Sequence, residues 1–79
     1  MQEISGQVVD EDGFAHEVWV EKLPDNSIAH VYVLYAGAEV TEFPFDQPQP
    51  NCELCEAAQL VASSPVQLVI TLPILIMED

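Results

Sequence analysis

Seventy-nine residues carry 14 acidic side chains against one basic one, for a net charge of −13 and a pI near 4.1. There is no arginine and Lys22 is the only lysine, which excludes a direct grip on nucleic-acid phosphates. A hydrophobic share of 49% argues against disorder, and the length allows a single domain, residues 1–79, with one thin core.

The opening segment alternates weakly around Ile4, Val8 and Val9, then reaches Asp10-Glu11-Asp12-Gly13. An Asp-Gly pair between two apolar runs is a hairpin signal, because glycine accepts positive φ at little cost. The run that follows alternates cleanly. Phe14, His16, Val18 and Val20 share one face, and Glu17, Trp19 and Glu21 share the other. Leu23-Pro24-Asp25-Asn26-Ser27 reads as a second turn. Residues 28–35, rich in β-branched and aromatic side chains, form the next strand and complete a hairpin with the one before. A short further strand is expected over residues 39–45, with Pro44 marking an edge or an irregular exit.

Pro48 and Pro50 stiffen the connector that follows and disfavour helix within it. Asn51 then offers an N-cap, and Leu54, Ala57, Ala58 and Val61 recur at helical spacing, so residues 52 to about 62 form a short amphipathic helix. Its buried stripe is mostly alanine, which permits close approach to a sheet, and Leu60 falls on the exposed side. Ser63-Ser64-Pro65 ends it. The stretch from 57 to 77 has no charged residue, about the length of a membrane span, but its polar and proline residues break it. Its tail, residues 66–77, is read as a last strand whose first part lies inside the sheet. The order β-β-β-(β)-α-β gives an α+β fold of two layers, a mainly antiparallel sheet of four to five strands with one helix packed on one face.

Chemistry is sparse in this pattern. Cys52-Glu53-Leu54-Cys55 at a helix N-terminus could be a redox dithiol, or a zinc site with His16 and His30. No strand of a βαβ unit precedes the cysteines. A turn centred on Asp25 puts the two histidines on the same face, several residue pairs apart. Same-face neighbours along a strand are already ~6.6–7 Å apart, so one zinc could not collect both. The expected reading makes Cys55 a small buried hydrophobe and Cys52 a surface thiol, with both histidines as hydrogen-bonded core residues. Asp10-Glu11-Asp12-Gly13 lacks the alternating oxygens and final acid of an EF-hand loop and is read as an acidic hairpin tip. No metal, cofactor or catalytic residue is expected; the protein is not read as an enzyme. Two cysteines three positions apart are too few and too close to staple a secreted domain, and Met1-Gln2-Glu3 does not open a signal peptide. The expected location is the cytoplasm, with reduced thiols.

What remains is the charge. Ten of the 14 acids lie between Glu3 and Asp46, with almost nothing to compensate them. Self-repulsion destabilises such a surface, while a basic partner would be drawn to it. Trp19, between Glu17 and Glu21 on the outer side of its strand, has the setting of an interface anchor. The residues expected to meet a partner are Asp10, Glu11, Asp12, Glu17, Trp19, Glu21, Asp25, Glu39 and Glu42.

In length, acidity and single-domain α+β pattern the chain resembles the small inhibitor proteins of phages and mobile elements, anti-CRISPR proteins and other DNA mimics. Those proteins share no common motif, so no residue role is carried across. The resemblance implies a stoichiometric binder in the host cytoplasm that blocks a nucleic-acid-processing complex. The alternative is a non-catalytic structural or accessory module, a homodimer through the last strand and the helix.

Overall fold

The computed structural model describes residues 2–73. Five strands and one helix follow in the order β1 (Gln2–Val9), β2 (Ala15–Lys22), β3 (Ile28–Tyr35), β4 (Ala38–Pro44), α1 (Glu53–Ser63) and β5 (Leu68–Thr71). The sheet order is β4-β3-β2-β1-β5; all pairs are antiparallel except β1 with β5, which is parallel. This is the expected α+β fold of two layers, with α1 lying across one face.

The turns explain why β1 to β4 form a meander. In the first, the Gly13 N–H donates to Asp10 O (3.0 Å) and the Asp10 N–H to Phe14 O (2.9 Å), with Gly13 at φ +88°. The second repeats the pattern: the Asn26 N–H donates to Leu23 O (2.8 Å), the Leu23 N–H to Ser27 O (2.9 Å), and Asn26 sits at φ +75°. Each is a tight turn closed by one left-handed residue, a position that glycine and asparagine tolerate. Asp10 Oδ1 accepts from the N–H groups of Asp12 and Phe14, and Asp25 Oδ1 from the N–H and hydroxyl of Ser27. The third turn is shorter, with Ala36 at φ +53° and Gly37 at φ +80° between the paired Tyr35 and Ala38.

One face of the sheet supplies Val8, Val18, Val20, Val31, Val33 and Phe43, which meet Cys55, Ala57, Ala58, Val61 and Ala62 of α1 in a single core. Alanines bring the helix close, and Gly6 takes the closest point. A Cβ there would strike Leu68 O and stand 2.6 Å from a methyl of Val61. Ser5 Oγ donates to Val61 O (3.0 Å), and Gln59 Nε2 to Phe45 O (2.8 Å), pinning the helix to β1 and to the connector.

Three expectations are corrected. The N-cap is Cys52, whose Sγ accepts from the Cys55 N–H (3.1 Å); Asn51 stands before it at φ +58°, where its side chain does not cap. The last strand is four residues long and occupies an edge beside β1 among the described residues, with Val69 61% exposed. Its double-sided apolar pattern had suggested an inner position. The rest of that expected strand, from residue 74 to 77, lies outside the described residues. Phe14 is on the helix side by alternation yet 51% exposed, because it precedes β2; its one ring contact is edge-on with Tyr35 (5.6 Å) among the described residues.

Candidate functional site on the open sheet face

A helix on one face leaves the other face uncovered by any described element. Strand register writes that face as three rows. The central row runs Glu42, Tyr32, Trp19, Ile4 across β4, β3, β2 and β1. On one side lies Glu39, Leu34, Glu17, Gln7, Val69; on the other, Pro44, His30, Glu21, Gln2. An apolar and aromatic centre is thus bordered by Glu17, Glu21, Glu39 and Glu42.

Trp19 is half-buried, and its indole N–H donates to Glu17 Oε1 (3.2 Å), which fixes one edge of the ring against a carboxylate. Tyr32 is half-buried beside it, with its ring stacked toward His30 (6.1 Å between centroids). The phenol is held above its ordinary 10.0, first by partial burial and then by Glu21, with Glu42 and Glu39 adding to the rise and a hydrogen bond with Gln2 opposing it. Burial disfavours the charged phenolate most, and the neighbouring carboxylates oppose its negative charge in addition. A shallow recess of about 250 Å³ opens here, lined by Gln2, Trp19, Tyr32, Leu34, Gly37 and Glu39.

Five of the nine expected contact residues, Glu17, Trp19, Glu21, Glu39 and Glu42, therefore come together. Asp10, Glu11 and Asp12 stand at the β1–β2 turn and Asp25 at the β2–β3 turn, at opposite ends of β2 and off the face. Two of these acids are committed to their own turns. The Asp10 carboxylate is held below its ordinary 3.8, first by the hydrogen bond with His16 and then by the Phe14 N–H. Asp25 is held below 3.8 by the Ser27 hydroxyl and N–H. Tyr32 and Leu34, which complete the face, were not singled out from sequence. Their signal is the pairing of Trp19 with Tyr32, which depends on a bulge that the sequence does not announce.

That bulge also separates the histidines. Register shifts between Glu21 and Lys22, leaving Ala29 unpaired, and every later residue of β3 changes face. His16 is buried on the helix side, with its Nε2–H donating to Asp10 Oδ2 (2.9 Å), its ring against Tyr35, and Nδ1 without a hydrogen-bond partner among the described residues. His30 pairs with Glu21 on the open face. The expectation that both share the core face is thus corrected. Among the described residues no three His, Cys, Asp or Glu side chains gather as a metal site.

The thiols are also corrected: Cys52 and Cys55 are joined as a disulfide. One helical turn brings their Cα atoms to 5.2 Å, inside bridging range. Cys55 is fully buried as expected, on the helix layer and away from the open face.

A second cleft, about 220 Å³, lies on the helix side between Ser63–Gln67 and the ends of β1 and β2. Its rim carries the Lys22 Nζ–Glu3 Oε1 ion pair (2.7 Å), so its one cation is matched by a carboxylate of the same chain. Among the described residues, no helix is long and apolar enough to cross a membrane.

No family model, curated protein or solved structure matches the chain.

Proposed function

We propose that this protein is a non-catalytic inhibitor that lays its open face on a basic, nucleic-acid-binding surface of a host machine and blocks it, in the manner of anti-CRISPR proteins and other DNA mimics. The observation that carries the reading is the open face itself, where a Trp19–Tyr32 row is bordered by four glutamates. The chain has 14 acidic side chains, no arginine and one lysine, Lys22, whose ammonium pairs with Glu3 on the helix side. Carboxylates would stand where phosphates stand in the normal complex, and the aromatic row would exclude water at the centre. Asp10, Glu11, Asp12 and Asp25 add to the field that steers encounter. The protein binds neither nucleic acid nor membrane. It acts in the host cytoplasm, and the docking face is independent of the Cys52–Cys55 disulfide, which lies on the helix layer.

The test is capture on immobilised protein from bacterial lysate at low and high salt, with and without competing duplex DNA, and identification of what is held. A nucleic-acid-binding protein released by salt and displaced by DNA supports the reading. A partner indifferent to both overturns it.

A second reading is favoured by the β5 edge, where Leu68 and Val69 are exposed: a structural or accessory module that forms a homodimer there. A dimer in sedimentation equilibrium that dissociates on Val69→Lys supports it.

A further inference from the structure

We infer that the recess between Trp19 and Tyr32 receives an arginine side chain of the partner, with the guanidinium against the aromatic rings and hydrogen-bonded to Glu39. This rests on the docking reading above and names what the centre of the face recognises.

The recess is lined by the aromatic residues Trp19 and Tyr32 and by Leu34, Gly37, Glu39 and Gln2. Two aromatic side chains beside a carboxylate are the chemistry of a site for an organic cation. An apolar guest would fit the walls but would leave Glu39 to be desolvated without a partner. An anion is repelled by Glu17, Glu21, Glu39 and Glu42 together, which the strand register places around the Trp19–Tyr32 pair. Among cations, arginine fits better than lysine. Its planar, weakly hydrated guanidinium stacks on rings while its edge still donates to a carboxylate, whereas an ammonium keeps its water. The indole is held in place for this. Its N–H is engaged by Glu17, so the ring is oriented before the guest arrives, and the bonded carboxylate enriches the ring's negative face.

The experiment titrates the whole protein with three blocked tripeptides, Gly-Arg-Gly, Gly-Lys-Gly and Gly-citrulline-Gly, followed by amide and indole chemical shifts. Citrulline keeps the shape of arginine without its charge. Saturable binding of the arginine peptide, with shifts concentrated on the Trp19 indole, Tyr32, Leu34, Gly37 and Glu39, is expected. The lysine peptide should bind roughly three- to tenfold more weakly and citrulline not measurably. Trp19→Leu should abolish saturation. Glu39→Gln, at an exposed strand position that leaves the fold intact, should weaken arginine binding about threefold or more. Equal shifts from arginine and lysine, spread over Glu17, Glu21, Glu42 and Asp10–Asp12, overturn the recess as a site while leaving a basic partner for the face. Absence of any peptide binding overturns it as well, and the lysate capture then decides the docking reading separately. Peptide-independent self-association that shifts the same residues overturns it in favour of a second copy as occupant.

Discussion

Trp19 and Tyr32 stand opposite each other in the β2–β3 register, in the middle of a sheet face that no described element covers. The pair is flanked in its own row by Glu42 and Ile4 and bordered by glutamates on both sides. If this is the docking face, Trp19→Ala removes its anchor. Truncating such a residue costs roughly 2 kcal/mol or more in binding, so affinity for the captured partner should fall about 30-fold. The cross-strand pair itself is worth roughly 0.2–1 kcal/mol to the fold, so Tm should fall by no more than about 4–8 °C. Calorimetric titration and a thermal melt on the same sample check both. Collapse of the fold would move Trp19 into the core.

Gly6 fixes how closely β1, β5 and α1 approach. Gly6→Ala must push aside the backbone of Leu68 and the side chain of Val61, because the new Cβ has no space between them. Overpacking of this kind costs roughly 1–3 kcal/mol, and backbone on one side puts this case toward the top. The midpoint of urea unfolding should drop accordingly. An unchanged midpoint would mean that β5 does not lie against Gly6.

The β3–β4 turn holds an alanine in the left-handed region, at φ +53°. That conformation costs a non-glycine residue roughly 1–2 kcal/mol, and asparagine tolerates it. Ala36→Asn creates the Asn-Gly pair that two-residue hairpins favour. It should raise Tm by about 4–8 °C, read in a thermal melt. A lowered Tm would contradict the turn.

The sequence made these strands and turns readable where the cause was local. The Asp12-Gly13 and Pro24-to-Ser27 turns, the alternation from His16 to Val20, and the alanine stripe of α1 each write their structure into a few adjacent residues. What stayed hidden was decided between strands. One unpaired residue, Ala29, turns Val31 and Val33 inward and Tyr32 and His30 outward, and nothing in the local pattern of β3 marks it. The parallel pairing of β5 with β1 likewise depends on the route around the helix, so an apolar run that looks central lies at an edge. For the site, Trp19 and its two glutamates were legible from alternation on one strand. The partner ring Tyr32 required the register.

Acid should destabilise this protein through Asp10 and Asp25. Their folded-state values lie below the ordinary 3.8, so the stability they contribute is full above that value and is lost as pH falls through the depressed ones. The Tm difference between wild type and Asp10→Asn should therefore be largest near neutrality and close at pH values below 3.8. A gap independent of pH would contradict the Asp10–His16 interaction as the cause.

The most direct test of the docking face compares two triple variants with the same change in net charge. Glu17→Lys, Glu21→Lys and Glu42→Lys reverse charge on the open face. Glu11→Lys, Asp12→Lys and Asp25→Lys do so at the two ends of the sheet. Equilibrium affinity for the captured partner is measured at physiological salt, with circular dichroism confirming that both variants are folded. The account predicts a loss of about 100-fold or more for the face variant and less than about tenfold for the end variant, because contact charges act at short range and the remaining field only steers. Equal losses in the two variants, or wild-type affinity in the face variant, would contradict it.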